Sequence, residues 1–237
     1  MTSIDIPTAK EMEEKLDYLS RLLFQERRID YRSKSHLDRI STPLKKFQPK
    51  TKTWEYIIQP SNPIEFVPIA DKKLGQIAPR VYMTIAVQVP KKKEQLPFSQ
   101  LVSVIEVWDI LENKLQSRWH IDLANRRADG TYQAGPLFHL QGGGHKPQSN
   151  RQDDLKVSIP RWAIPPMELI LTCEMIIANF YPEKWDKISQ QRKWLELIWT
   201  AQQLCYPLYI ERFQNCLFGR QQSVLRALWA KEWGGVA

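Results

Sequence analysis

Three of the four histidines in the chain lie close together in the sequence, and an arginine follows them. They are His120, His139 and His145, and the arginine is Arg161. An imidazole can exchange a proton near neutral pH, and a guanidinium can stabilise the negative charge of a phosphorane. Such a set suits cleavage of RNA without a metal ion, because the RNA's own 2′-OH can serve as the nucleophile. These four residues are therefore the candidate catalytic residues.

The alternation of polar and apolar residues places much of this set on one face of a sheet. The segments Leu115–Leu123 and Tyr132–Gln141 both alternate with a period of two, and Asn125–Gly130 between them contains turn residues. If the two strands form a hairpin, one open face carries Arg118, His120, Asp122, His139 and Gln141. A slip of one residue in the register would move a histidine to the other face.

A polar sheet face also has a non-catalytic explanation. The solvated face of an antiparallel sheet is polar in any case, and His120 and His139 can be cross-strand neighbours with satisfied hydrogen bonds. The glycine triplet at residues 142–144 is equally open. Its backbone can approach a phosphate closely, with His145 and Lys146 beside it, or it is a loose end of a hairpin.

The sequence offers little for a metal site or a nucleophilic triad. His139 and His145 have no cysteine or acidic ligand at helical or hairpin spacing, so zinc would need distant ligands such as Asp122 or Asp153. The Gly-x-Ser-x-Gly turn of the α/β-hydrolases is missing. We expect no metal and no cofactor.

The positive charge of the chain is concentrated in residues 21–52. The formal net charge is +8, and these residues include ten basic and three acidic side chains. Basic side chains can neutralise backbone phosphates, and Tyr31 and Phe47 can stack on bases. The candidate nucleic-acid-binding residues are Arg27, Arg28, Arg32, Lys34, Arg39, Lys45 and Lys46. The alternative is a solvated tail, or a segment that docks on an acidic protein.

Hydrophobic periodicity predicts the elements that position these residues. Apolar residues at three- and four-residue intervals predict a helix over residues 7–28, and residues 30–53 form an unpatterned basic arm in which Pro43 and Pro49 break any helix. The predicted strands are Trp54–Ile58, Pro63–Ile69, Arg80–Val89, Leu101–Ile110, Leu115–Leu123, Tyr132–Gln141 and Leu155–Ile159. Helices are predicted over residues 167–181, 185–204 and 221–233, with a break at Pro207.

These elements predict an α+β fold. A meandering antiparallel sheet carries a C-terminal helical layer, and an N-terminal helix and basic arm precede it. We divide the chain into residues 1–52, which hold that helix and arm, and residues 53–237, a single α+β domain. In this domain the sheet covers residues 53–160 and the helices residues 165–233.

Residue usage predicts a cytoplasmic protein with no membrane partner. The first residues lack the basic-then-apolar pattern of a secretion signal. The longest apolar stretch, Met167–Tyr181, is interrupted by polar residues and is shorter than the roughly 20 residues of a spanning helix. The three cysteines are odd in number and lie in apolar helical sequence, so we expect them to be structural.

Three short motifs carry a resemblance. They are FHLQ at Phe138–Gln141, PRWAIPPMELI at Pro160–Ile170 and NFYP at Asn179–Pro182. Over about residues 115–182 this pattern resembles uncharacterised bacterial proteins of toxin–antitoxin and defence neighbourhoods, with an HLQ strand and a PRxxxPPMEL turn and helix. The resemblance brings no established reaction with it. It implies that the strand with His139 and the turn at Arg161–Pro166 lie together in the fold.

Three functions are consistent with these features. The first is a nucleic-acid-interacting protein of a bacterial defence or toxin-type system, acting as a metal-independent ribonuclease through the histidines of the open face. The second is a non-catalytic adaptor subunit that binds a partner protein in a larger nucleoprotein complex, through its N-terminal and C-terminal helices. The third is a small-molecule enzyme that uses the same pocket. Nucleic acid and a partner protein are the expected partners.

Overall fold

The computed structural model describes residues 5–90, 95–143 and 160–233. Within these ranges the chain forms one eight-stranded antiparallel sheet and seven α-helices, five of which follow the sheet. The predicted α+β class, an antiparallel sheet with a C-terminal helical layer, is confirmed.

The sheet is a meander over most of its width. Its strands are β1 (Trp54–Ile58), β2 (Ile64–Glu65), β3 (Ile69–Asp71), β4 (Gly75–Val87), β5 (Phe98–Asp109), β6 (Lys114–Leu123), β7 (Phe138–Gly142) and β8 (Trp162–Ala163). Their order is β1-β4-β5-β6-β7-β8, while β2 and β3 also pair with β4. From β4 onward each strand lies beside the strand that follows it in the chain, as short connections favour.

The helices lie before and after the sheet in the sequence. They are α1 (Ala9–Gln25), α2 (Tyr31–Leu44), α3 (Leu169–Phe180), α4 (Pro182–Ile188), α5 (Arg192–Cys205), α6 (Pro207–Gly219) and α7 (Val224–Ala227). A 3₁₀ turn, Ala230–Glu232, follows α7. None of the helices in the described ranges is long and apolar enough to cross a membrane.

The strand predictions are largely confirmed. β1 has the predicted bounds, and β4, β5 and β6 cover most of their predicted segments. The single strand predicted over Pro63–Ile69 is wrong, because the segment forms two short strands, β2 and β3. Between them the Val67 amide donates to the Arg28 carbonyl at 2.8 Å, and Pro68 has no amide hydrogen to donate to a neighbouring strand. The start predicted for β7 at Tyr132 is wrong, because the chain before Phe138 folds back on itself: the Gln133 amide donates to the Asn125 carbonyl at 2.9 Å. The short strand β8 was not predicted. The predicted strand Leu155–Ile159 lies outside the described residues.

The prediction of an unpatterned arm over residues 30–53 is wrong, since α2 occupies much of it. Asp30 caps this helix by accepting a hydrogen bond from the Ser33 amide at 2.7 Å. Leu37, Ile40 and Leu44 are buried, and α2 packs against α1, β1 and β2. These apolar residues form a narrow stripe at three- and four-residue spacing, which the many basic residues around it made hard to recognise in the sequence. Pro43 lies next to the end of the helix and does not break it.

The helices after α3 differ from the prediction in number and in bounds. The predicted helix at 185–204 is two helices, α4 and α5, and the predicted helix at 221–233 is the short α7 with the 3₁₀ turn. Pro207 does end α5, but it also occupies the first turn of α6, where a missing amide hydrogen costs nothing. Helix α6 was therefore missed.

One face of the sheet packs on the helical layer. Ile105, Trp119 and Leu140 line a small apolar cavity together with side chains of α3. On the same face the Ser103 and Thr172 hydroxyls lie 3.2 Å apart and form a buried hydrogen bond. Because successive residues of a strand point to opposite faces, the neighbours of Trp119 and Leu140 point away from α3.

Candidate active site

Two polar pairs lie across the β6–β7 ladder. His120 is paired with Gln141, and Asp122 with His139. The alternation puts all four side chains on the sheet face opposite to α3, as the sequence predicted. Arg118 lies on the same face two residues before His120, where it is paired with Glu106 of β5.

The side chains of the two cross-strand pairs line one polar pocket of about 250 Å³. Its lining residues are His120, Asp122, Leu123, Asn125, Gln133, His139, Gln141 and Arg161. Three of the four predicted catalytic residues, His120, His139 and Arg161, therefore meet in space. The fourth, His145, lies outside the described residues, as do Gly144 and Lys146 of the adjoining loop.

Arg161 directly precedes β8, and its side chain lines the pocket. The register of β7 and β8 pairs His139 with Ala163, so the strand with His139 and the turn that begins at Arg161 lie together, as the motif resemblance implied. The guanidinium donates hydrogen bonds to the Ala134 carbonyl at 3.1 Å and to the Gln141 Oε1 at 3.4 Å. These contacts hold the cation at the pocket wall.

Gly135 makes room for this arginine. Its φ is +138°, in the range that L side chains rarely adopt, and a Cβ there would lie 3.3 Å from the Cδ and Nη1 atoms of Arg161. Any side chain at position 135 would therefore displace the guanidinium or strain the backbone.

Asp122 is a largely buried carboxyl group in this pocket. Burial raises the pKa of Asp122 to about 7, although the nearby Arg161 cation opposes the rise. Its Oδ1 is buried without a hydrogen-bond partner among the described residues, and its Oδ2 lies 3.8 Å from the Nδ1 of His120. A carboxyl group with a pKa near neutrality can both give and take a proton under physiological conditions.

His139 has the opposite electrostatic behaviour. It is only 4% exposed, and burial together with the positive charge of Arg161 lowers the pKa of His139 to about 4. Its imidazole is therefore neutral at pH 7. The pocket thus combines a neutral imidazole, a carboxyl group that titrates near pH 7, and a fixed cation.

Arg118 and Glu106 form a separate network next to the pocket. Glu106 is nearly buried and accepts hydrogen bonds from Trp108 Nε1 at 2.8 Å, from Arg118 Nε at 2.8 Å and from the Tyr82 hydroxyl at 3.3 Å. Burial and the Glu106 charge raise the pKa of Tyr82 to about 12. Because its charge is neutralised by Glu106, Arg118 is a structural residue and Arg161 is the better anion-binding candidate.

The predicted nucleic-acid-binding residues fall into two groups. Three of them are engaged within the chain: Arg28 stacks on Tyr181 at 4.9 Å, and Lys34 and Lys45 form ion pairs of 2.6 and 3.3 Å with Asp38 and Glu13. The other four, Arg27, Arg32, Arg39 and Lys46, are exposed. Helix α2 contacts β1 and β2, whereas the pocket lies on β6, β7 and β8. Because β1 and β8 are at the two ends of the strand order, the basic helix and the pocket lie near opposite edges of the sheet.

Sequence reasoning missed part of this site. Asp122 was placed on the open face but was not chosen as a catalytic candidate, because nothing in the sequence indicated how deeply it is buried. Asn125 and Gln133 were assigned to a turn and to a strand, and both line the pocket. In the described part of the chain, no group of three or more histidine, cysteine, aspartate or glutamate side chains could hold a metal ion.

No family model, no curated protein and no solved structure matches this chain, so the resemblance to defence-associated proteins stays a prediction and the pocket's geometry is the evidence for a function.

Proposed function

We propose that the protein is a cytoplasmic, metal-independent ribonuclease of a bacterial defence or toxin-type system. The observation that carries the proposal is the meeting of Asp122, His139 and Arg161 in one pocket, with the two titratable groups shifted in opposite directions. Pairs of groups whose environments separate their pKa values are typical of acid–base sites. The three cysteines are free, which suits a reducing compartment.

The reaction is transesterification within the RNA. The 2′-oxygen attacks the adjacent phosphorus while its proton passes to a base, and the 5′-oxygen leaves with a proton from an acid. The products are a 2′,3′-cyclic phosphate and a free 5′-hydroxyl. The nucleophile is already attached to the substrate, so the enzyme has to supply proton transfer and charge stabilisation.

Each pocket residue has a role in this scheme. The neutral imidazole of His139 accepts the proton of the 2′-OH, and the protonated carboxyl group of Asp122 gives a proton to the leaving 5′-oxygen. Arg161 stabilises the extra negative charge of the phosphorane. His120 positions the Asp122 carboxyl group, because its ring lies beside Oδ2.

The proposal is tested by cleavage of a labelled RNA in the presence of a chelator, with matched variants. His139→Ala should lower the cleavage rate by a factor of roughly 10²–10⁴. The control is His36→Ala, because His36 lies on α2 away from the pocket. Full cleavage by a folded His139→Ala protein would contradict the assignment of His139.

A further inference from the structure

Helix α6 carries large apolar side chains on its solvent side. Ile210, Phe213 and Leu217 are exposed and spaced three and four residues apart, so they share one face of the helix. Phe218 beside them is 76% exposed. Tyr209 is the only buried residue of this helix. An exposed stripe of this size on a single helix is typical of an interaction surface.

A second face of α6, next to the stripe, fixes the helix to the rest of the fold. The Arg212 guanidinium stacks on Trp233 at 4.3 Å, and its Nε donates to the Ala227 carbonyl at 2.7 Å. The Cys216 thiol donates to the Gln222 carbonyl at 2.9 Å. Because these contacts fix the orientation of α6, the fold keeps the apolar stripe exposed to solvent.

The charges around the stripe indicate what covers it. Glu211 lies near the start of α6 and Arg220 directly after its end, and neither forms an ion pair within the described residues. The exposed polar residues between them, Gln214 and Asn215, are uncharged. The stripe thus has an unpaired negative charge at one end, an unpaired positive charge at the other and neutral flanks.

This pattern is complementary to itself when the direction of the helix is reversed. In an antiparallel pair, Glu211 of each helix comes to the same end as Arg220 of the other, whereas a parallel pair would bring like charges together. Two-fold interfaces use the same patch on both subunits, which requires this kind of self-complementarity. We propose that α6 is the contact helix of a homodimer, in which two copies of α6 pack antiparallel about a two-fold axis.

The interface is centred on the aromatic and aliphatic stripe. The thirteen residues of α6 give a contact about 20 Å long, in which Phe213 and Leu217 lie near the middle. Residues near the centre of an interface contribute most of its affinity, and charged residues at the rim mainly set orientation and salt dependence. None of the stripe residues lines the active-site pocket, so dimerisation and catalysis can be tested separately.

Sedimentation equilibrium of the full chain, from about 1 to 100 µM, measures the dimer directly. The wild-type protein should dimerise, and Leu217→Ser and Phe213→Ser should each raise the dimer dissociation constant at least about tenfold. Leu111→Ser is the matched control, because Leu111 is 76% exposed but lies outside α6. A chain that stays monomeric over this range would overturn the proposal, as would a dimer that both α6 substitutions leave intact.

A charge-swap experiment tests the antiparallel arrangement. Glu211→Arg and Arg220→Glu should each weaken the dimer several-fold at low salt, and the double variant should restore it. The differences should shrink at high salt, because exposed charges are screened. If the single variants weaken the dimer and the double variant weakens it further, the helices do not pair in this orientation.

Discussion

Asp122 lies directly opposite His139 in the β6–β7 ladder, and the two side chains have pKa values shifted in opposite directions. Burial is the main cause of both shifts, because it penalises the charged form of each group. At pH 7 the imidazole is neutral and the carboxyl group is near its midpoint. Arg161 lies close to both and lowers the pKa of each.

Removing the Arg161 charge should therefore raise both pKa values. In Arg161→Gln, we expect the pKa of Asp122 to rise above 7 and the pKa of His139 to rise above 4, since the nearby cation lowers both in the wild type. NMR titration of the two side chains measures the change. Arg127→Gln is the matched control, because Arg127 is exposed and does not line the pocket. Unchanged values in Arg161→Gln would show that the guanidinium does not act on these groups.

Asp122 should make the stability of the fold depend on pH. Its pKa is raised from 3.8 to about 7 in the folded protein. Below about pH 4 the carboxyl group is protonated in both the folded and the unfolded state. As the pH rises from about 4 to 7 the unfolded state releases the proton first, so the free energy of unfolding falls until the folded state has also released it. Relative to wild type, Asp122→Asn should therefore gain stability between pH 4 and 8, on the order of 2–4 kcal/mol. Urea unfolding across this range measures the gain.

An exposed carboxylate supplies the control for this experiment. Asp186 lies on the surface of α4, so Asp186→Asn should show little change relative to wild type over the same range. If the difference between Asp122→Asn and wild type is independent of pH, then Asp122 does not titrate near neutrality in the folded protein.

Glu168 is a second buried carboxyl group, and it caps α3. Its Oε1 accepts hydrogen bonds from the Ile170 and Leu171 amides at 2.8 and 3.1 Å, and burial raises the pKa of Glu168 to about 7. Glu168→Gln keeps the acceptor and should be more stable relative to wild type at pH 8 than at pH 4. Glu168→Ala loses the cap and leaves a cavity, so it should lose on the order of 2–4 kcal/mol. Urea unfolding of the two variants separates capping from titration.

The exposed basic residues of α2 and its ends should bind the RNA backbone. Replacing Arg32, Arg39 and Lys46 with glutamine should weaken binding of single-stranded RNA and reduce the salt slope of its affinity by about 2, given about 0.7 for each phosphate contact. The matched control replaces Arg28, Lys34 and Lys45, which are already engaged within the chain, and should change the slope less. Equal slopes for wild type and the first triple variant would remove α2 from the binding surface.

The open face of the sheet was predictable because polar and apolar residues alternate in β6 from Arg118 to Leu123. Ile121 and Leu123 had to face the core, which sent His120 and Asp122 to the other side, and the antiparallel register then brought His139 beside them. The position of Arg161 was not predictable in the same way. It depends on β8, a strand of two residues that is too short to show a period.

The two missed helices show different limits of sequence patterns. In α2, three buried apolar residues are spread among polar and basic ones. The helical spacing of so few apolar residues was therefore not recognised in the sequence, although these residues pack against α1 and β1 in the fold. In α6 the apolar stripe faces solvent, so its pattern did not point toward a core. Proline was misleading in both cases, since Pro43 lies at the end of α2 and Pro207 at the start of α6.

Product analysis of RNA cleavage tests the central proposal most directly. A labelled RNA and the same RNA with 2′-O-methyl groups are incubated with wild type and Asp122→Asn in the presence of a chelator. The proposed mechanism predicts that wild type converts only the unmodified RNA to products with 2′,3′-cyclic phosphate ends, and that Asp122→Asn is slower by a factor of roughly 10²–10⁴. Cleavage of the methylated RNA, or undiminished cleavage by Asp122→Asn, would contradict it, as would the absence of any cleavage by wild type.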